Sequence, residues 1–177
     1  MNVPATLNRP LPMPLSMQMP MQVPLPISVT WTWCRFHDLS LDDLYDALAL
    51  RAAVFVVEQN CPYQDPDGAD RHCWHLLGRD AAGTLQAVLR AVDPGVKYAE
   101  ASIGRVVTAP TARGTGLGRA LVAEGLRRLD AAHPGHAVRI SAQAHLQRLY
   151  AGFGFVGVGE EYLEDDIPHL EMLRAAR

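Results

Sequence analysis

Residues 102–121 read Ser-Ile-Gly-Arg-Val-Val-Thr-Ala-Pro-Thr-Ala-Arg-Gly-Thr-Gly-Leu-Gly-Arg-Ala-Leu. The apolar, β-branched first part predicts a strand, and the leucines that follow have helical spacing. Between them, glycines at 114, 116 and 118 leave backbone N–H groups open where the helix begins. The dipole of a helix favours an anion at that end, and Arg113 and Arg119 add positive charge. This segment therefore predicts a pyrophosphate-binding loop.

Three other interpretations of the loop fit the sequence less well. A Walker A loop ends in Gly-Lys-Ser/Thr, whereas this chain has Gly118-Arg119-Ala120, which excludes it. A dinucleotide-binding fold places Gly-x-Gly-x-x-Gly after its first strand, but here the spacing is Gly-x-Gly-x-Gly and the motif comes late in the chain. A tight turn without a ligand leaves the glycine spacing and the arginines unexplained.

The flanking sequence predicts an α/β (α+β) fold. Ser40 is expected to cap a helix that runs from 41 to about 56, and a second helix spans 116–132. A short helix is expected over 146–153, and a loop over 60–70. Strands are predicted over 29–39, 73–79, 84–92, 101–108, 137–141, 155–158 and 169–173. This order indicates a mixed sheet with helices on both faces.

The N-terminal segment differs from the rest of the chain. Residues 1–28 carry prolines at 4, 10, 12, 14, 20, 24 and 26 and five of the six methionines. Because proline disrupts both helices and sheets, we expect a disordered Pro/Met-rich leader here and one folded domain over 29–177.

Composition narrows the class of protein. The chain of 177 residues has a formal net charge of −3, which argues against a general nucleic-acid binder. Its three cysteines show no CxxC pair, and no apolar run is long enough to span a bilayer. Cys61, His72, Cys73 and His75 lack paired zinc-ligand spacing, so no metal is expected. We therefore expect a cytoplasmic monomer or homodimer without a nucleic-acid or membrane partner.

A second motif follows the loop at a suitable distance. Residues 149–155, Leu-Tyr-Ala-Gly-Phe-Gly-Phe, resemble the Phe-Tyr-x-x-x-Gly-Phe segment of the GNAT acyl-CoA N-acyltransferase superfamily, and 113–118 resembles its acyl-CoA loop. Segments 51–65, 142–147 and 166–169 resemble the ElaA-type branch. The resemblance extends from Trp33 to the C-terminus. It implies the GNAT fold, a mixed, mostly antiparallel sheet that splays in the middle, with helices on both faces.

The resemblance implies that acetyl-CoA is the co-substrate. The CoA pyrophosphate would lie on a run of residues at the loop: Arg113, Gly114, Thr115, Gly116, Leu117, Gly118 and Arg119. The pantetheine arm would pair with Val106, Val107 and Thr108. Gln143 stands where many relatives have an asparagine that contacts this arm.

The resemblance also implies direct transfer of the acetyl group to a primary amine, on a small molecule or a peptide. Tyr150 would contact the co-substrate and protonate the departing thiolate. Glu58 and His145 are expected to be catalytic, with His75, Glu100 and His169 as further candidates for the base. The acceptor pocket is expected to include Phe55, Glu58, Gln59, Tyr63, His75 and His169.

Two alternatives remain open at this stage. The acidic residues of 58–70 and 160–166 either attract a cationic acceptor or belong to solvated loops. The chain could also be a non-catalytic CoA-binding sensor that kept the fold and lost the chemistry.

Overall fold

The computed structural model describes residues 27–177, so the predicted leader lies almost wholly outside the described residues. The division at residue 28 stays a prediction. The strands are β1 (Thr30–Arg35), β2 (Trp74–Arg79), β3 (Leu85–Val92), β4 (Ser102–Thr108), β5 (Val138–Gln143), β6 (Val156–Gly157), β7 (Tyr162–Glu164) and β8 (Ile167–Arg174). The α-helices are α1 (Leu41–Arg51), α2 (Leu117–Ala132) and α3 (Gln147–Ala151).

The strands form two antiparallel sheets that touch at one point. The first has the order β1-β2-β3-β4, and the second has the order β5-β8-β6 with β7 also on β8. A single parallel bridge, Ala101 to Val138, joins them. There the Arg139 N–H donates to the Ala101 carbonyl at 2.9 Å. Among the described residues β4 and β5 pair no further, which confirms the predicted splay between them.

Helices cover both faces of the first sheet, as predicted. Leu76 and Leu77 are neighbours in β2, and alternation sends one to each face. Leu76 packs in the cluster that contains the apolar stripe of α2, whereas Leu77 packs with Ala47 of α1. Gly125 allows the close approach of α2, because a Cβ there would lie 2.7 Å from Cδ1 of Leu89.

The first helix differs from its predicted form in its second half. Ser40 caps it as expected, its Oγ accepting from the Asp43 N–H at 3.0 Å. However, α1 ends at Arg51, and the chain continues as a π-helical turn over Ala52–Glu58. Inserting a residue into a helical turn redirects the side chains that follow, and such turns are frequent at functional sites.

Strand β7 was not predicted. It is exposed throughout and forms a hairpin with β8 through Asp165 and Asp166, whose φ angles are 50° and 61°. Two consecutive positive φ values match the two-residue hairpin turn. The sequence shows no apolar alternation here, because this strand buries neither face.

No helix in the described part of the chain is long and apolar enough to cross a membrane.

Candidate active site

A cavity of about 640 Å³ lies where β4 and β5 part. This is the size of a small-molecule site. It is bordered by the π-helical turn, β4, the end of β5, α3 and the β7–β8 hairpin. The pocket residues predicted from the sequence that lie on this border are Phe55, Glu58, Gln59, Tyr63, Gln143, His145, Tyr150 and His169.

Strand β4 carries a bulge where it borders the cavity. Val88 pairs with Val107 and Arg90 pairs with Gly104, so one residue of β3 faces two of β4. Arg105 takes a φ of 51°, a conformation that non-glycine residues adopt at a cost. A bulge leaves its extra residue out of the ladder, which frees backbone polar groups. Val106, Val107 and Thr108, predicted to pair with pantetheine, border the cavity beside it.

The glycine loop ends at the N-terminus of α2. Gly116 is the N-cap with φ of 87°, a conformation that requires glycine. Gly118 needs a different explanation, because it lies inside the helix and a Cβ there would have only Thr108 Cγ2, at 3.9 Å, for a neighbour. Neither a turn nor close packing requires glycine at this position. An unobstructed helix N-terminus fits the phosphates of CoA.

The rest of the loop lies beyond the cavity border. The border includes Arg113 and Gly118 but not Gly114, Thr115, Gly116, Leu117 or Arg119. Leu117 is buried in the core, so only its backbone is available to a ligand. The guanidinium of Arg119 lies over the Phe153 ring, 4.9 Å from its centroid. The predicted phosphate contacts of these residues stay predictions.

Glu58 is held in an ion pair at the mouth of the cavity. Its two carboxylate oxygens accept from Arg113 at 2.8 and 2.9 Å. The hydrogen bond from Arg113 lowers the pKa of Glu58, which makes the carboxylate a weaker base. The geometry thus argues against the predicted role of Glu58 as catalytic base. The same ion pair engages Arg113, the arginine expected to contact phosphate.

Under the activity that the sequence resemblance implies, we expect Glu58→Gln to tighten CoA binding about two- to fivefold, because Arg113 would no longer have to leave a carboxylate in order to contact a phosphate. The kcat for amine acetylation should change less than about twofold, since loss of a general base costs about 10²-fold or more. Calorimetric titration with CoA and initial rates measure the two effects. Glu160→Gln is the matched control, an exposed acid outside the cavity border. A hundredfold loss of kcat in Glu58→Gln alone would restore Glu58 as the base.

Tyr150 is buried in α3, with 5% of its surface exposed, and borders the cavity. Its ring packs edge-on against Phe155, with centroids 5.8 Å apart. Burial raises the pKa of its phenol to about 12. The hydroxyl therefore stays protonated at neutral pH, as a proton donor must.

Gln143 reaches across the cavity. Its Nε2 donates to Oε1 of Gln59, at the end of the π-helical turn, at 3.3 Å. His145 is exposed in the short 3-10 segment Ala144–Leu146 and also borders the cavity. Glu100, by contrast, lies outside the border, and both its oxygens accept from Arg139, so it is not placed to act as the base.

The aspartates of the loop before β2 are paired with arginines and are not free for a cation. Its three aspartates at 65, 67 and 70 pair with three arginines. Arg51, 1% exposed, contacts Asp65 and Asp70, each at 2.8 Å. Arg90 contacts Asp67 at 2.7 Å, and the bulge residue Arg105 contacts Asp65 at 2.7 Å. The geometry therefore argues against these aspartates as a site for a cationic acceptor, because their charges are balanced by arginines that anchor the loop to β3 and β4.

His75 belongs to this anchor and not to the acceptor pocket. It is 2% exposed, and its Nε2 donates to the Asp70 carbonyl at 3.0 Å. Burial lowers the pKa of its imidazole. The prediction that His75 binds the acceptor is wrong, because the loop that carries Asp70 and the ring of Phe36 cover this side chain, and it lies outside the cavity border. Within residues 27–177, no group of three or more Cys, His, Asp or Glu side chains could hold a metal ion.

The three arginines of this anchor were not predicted as a unit from the sequence. Arg51 ends an apolar helix and Arg90 lies in the apolar strand Leu85–Val92. A charged residue in such a run is rarely buried without a partner. A charged residue within an apolar run was therefore the available sign of a buried ion pair. The sequence does not indicate which acid is its partner.

Comparisons with known proteins agree with this geometry. Residues 90–175 match the family model described as acetyltransferase (GNAT) domain. A UPF0039 protein of Synechocystis is 45% identical over 139 residues, which span 78% of this chain and 90% of that protein. Protein ElaA of Escherichia coli is 43% identical over 141 residues, 77% of this chain and 90% of ElaA.

Solved structures of related proteins are similar to this chain in both sequence and fold. The crystal structure of an acyl-CoA N-acyltransferase from Pseudomonas aeruginosa has a TM-score of 0.80 and 47% identity, covering 84% of this chain and 100% of that one. The crystal structure of Escherichia coli ElaA has a TM-score of 0.78 and 40% identity, covering 82% of this chain and 99% of that one.

Proposed function

Since the chain belongs to the GNAT acetyltransferase superfamily, in the branch of the ElaA and UPF0039 proteins, we propose that it transfers an acetyl group from acetyl-CoA to a primary amine. The transfer is direct, without a covalent enzyme intermediate. The fold is the GNAT fold, and the family is one of acyl-CoA-dependent acyltransferases. The choice of acetyl and of an amine acceptor is the proposal.

One observation carries this proposal. The cleft between β4 and β5 has the open glycine loop at one end and a buried, protonated phenol in its side. An extended arm lying along β4 would place its phosphates towards Gly118 at the start of α2 and its thioester towards Tyr150. A bound acetyl-CoA supplies an activated acyl carbon, so the chain need only orient it and move protons.

The residues of the cleft have separable tasks. The N-terminus of α2 binds the phosphates, and the bulged edge of β4 pairs with the arm and polarises the thioester carbonyl. Tyr150 gives a proton to the departing sulfur. Cys61 borders the cavity, but burial raises the pKa of its thiol, which keeps it from acting as a thiolate nucleophile. This supports direct attack by the amine.

Thermal unfolding of the full chain tests the co-substrate. Acetyl-CoA at 100 times its dissociation constant should stabilise the folded state by about 2.7 kcal/mol, with NAD and ATP as controls. Release of CoA thiol in the presence of amines then separates an enzyme from a CoA-binding sensor. If NAD or ATP shifts the midpoint more than acetyl-CoA does, the loop at 113–118 has been misassigned. A shift without thiol release from any amine would favour the sensor.

A further inference from the structure

The side of the cavity opposite β4 has a polar end made by β5, β7 and β8. We call Ser141, Tyr162, Glu164 and His169 the acceptor end. Ser141 Oγ donates to Oε2 of Glu164 at 3.1 Å, so Tyr162 must donate to Ser141 Oγ, which lies 2.6 Å away. The rings of Tyr162 and His169 stack with centroids 6.1 Å apart. These contacts orient the Glu164 carboxylate and the imidazole together.

The acceptor end carries the uncompensated charge of the cavity. Glu58 is paired with Arg113. The three arginines at 51, 90 and 105 are balanced by the three aspartates at 65, 67 and 70. Glu164 and Asp165 also border the cavity, yet neither forms an ion pair with any residue that the structure describes. One lysine, Lys97, borders the same space, with its ammonium 5.2 Å from the Tyr98 ring. Two carboxylates against one ammonium favour a cation over an anion.

His169 presents a free ring nitrogen. Its Nδ1 lies 2.8 Å from the Ile167 carbonyl, and because a carbonyl only accepts, Nδ1 carries the hydrogen. In the neutral ring the lone pair is then on Nε2. His169 borders the cavity, and histidine is the side chain best suited to exchange protons near neutral pH. Of the other predicted candidates for the base, Glu58 is already neutralised by its ion pair with Arg113. His145 also borders the cavity.

We propose that the acceptor end binds an organic ammonium at the carboxylate of Glu164, and that Nε2 of His169 removes the proton which the amine must lose before it attacks. The acceptor class is an alkylammonium without a carboxylate next to its nitrogen, because such a carboxylate would meet Glu164 and Asp165. This inference rests on the proposed function.

These roles account for every proton in the reaction. His169 takes one proton from the ammonium, and the neutral nitrogen forms the C–N bond while the C–S bond breaks. Tyr150 gives its proton to the sulfur. The nitrogen loses a second proton as the amide forms, which restores the Tyr150 hydroxyl, and His169 releases its proton to water. One proton is released for each acetyl group transferred.

Amine binding tests the carboxylate. In calorimetric titrations of the full chain, Glu164→Gln should weaken binding of pentylamine about tenfold. Norleucine, which has the same alkyl chain and a carboxylate beside the amine, should bind the wild type more weakly than pentylamine. Glu161→Gln is the matched control, an exposed acid outside the cavity border. Equal affinity of wild type and Glu164→Gln for pentylamine, or no binding by wild type, would overturn the acceptor site.

Steady-state rates test the histidine. His169→Asn should lower kcat for pentylamine about 10²-fold. The loss should be no more than about threefold for trifluoroethylamine, a weak base that is already neutral near pH 7.5 and needs no proton removed before it attacks. His136→Asn controls for loss of an exposed histidine elsewhere. Equal losses of kcat for both amines would refute the role of His169 as base.

The two proposals fail in different ways. Both variants should keep the wild-type thermal shift with acetyl-CoA, because neither residue contacts the glycine loop. The amine titrations are run with and without CoA, so they decide the acceptor end even if acetyl-CoA fails to stabilise the wild type. That failure would remove the proposed function instead.

Discussion

Tyr150→Phe is expected to lower kcat for amine acetylation by about 10²- to 10⁴-fold, the range typical of a lost general acid. The substitution removes one oxygen and keeps the ring that packs against Phe155. Without the phenol, the departing sulfur leaves as an unprotonated thiolate in a partly buried cleft, which burial disfavours. Affinity for acetyl-CoA should change less than about twofold, because the glycine loop and β4 are unaltered.

Steady-state rates and calorimetric titration with acetyl-CoA measure these two quantities. Tyr98→Phe is a matched control, because burial also raises the pKa of that phenol to about 12 and it lies outside the cavity border. A thioester with a more acidic thiol needs less protonation, so the loss caused by Tyr150→Phe should shrink with it. Unchanged kcat in Tyr150→Phe would assign the proton donor to another group or to water.

Arg51→Met is expected to destabilise the folded chain by about 3–5 kcal/mol, the range for removal of one partner from a buried ion pair. Methionine fills much of the same volume but leaves the carboxylates of Asp65 and Asp70 buried, 2% and 6% exposed, with fewer partners. Arg90 and Arg105 retain contacts to these acids, so the loop keeps part of its anchor.

Urea unfolding measures the change in the free energy of unfolding, read from the midpoint at constant slope. Arg127→Met is the control, because this arginine is exposed and contacts only Glu124 one turn away on α2, so its midpoint should be that of wild type. Adding Asp70→Asn to Arg51→Met should recover part of the loss, because it removes a buried carboxylate that has lost one of its two arginine partners. A midpoint equal to wild type in Arg51→Met would mean that the anchor does not stabilise the fold.

Elements with strong local signals were predicted closely. Ser40 caps α1 as expected, and α2 begins at Leu117, one residue after its predicted start. The hairpin turn predicted over 80–83 placed β2 and β3 within a residue of their observed bounds. The π-helical turn at Ala52–Glu58 was missed, because its apolar run is equally compatible with a continued α-helix.

The candidate site also has parts that were predicted from local sequence and parts that were not. The loop from Arg113 to Gly118 and the segment around Tyr150 are contiguous motifs, and the structure places Arg113, Gly118 and Tyr150 on the cavity border. Their roles towards acetyl-CoA stay predictions. The assignment of His75 to the acceptor pocket was wrong and that of Glu58 as base was weakened, since each depends on a partner 5 to 55 residues away in the chain.

The amino-acid sequence therefore determines, without further information, where helices begin, which strands are half-buried and where backbone amides are left open for a phosphate. These properties depend on each residue and its near neighbours in the chain, through φ/ψ preferences, capping and periodicity. The tertiary structure decides which charges are cancelled and which remain free. Arg51, Arg90 and Arg105 neutralise one acidic loop, while Glu164 and Asp165 stay unpaired among the described residues. Burial and charge pairing arise only when distant segments pack together, because the strength of an ionic interaction depends on distance and solvent exposure in space.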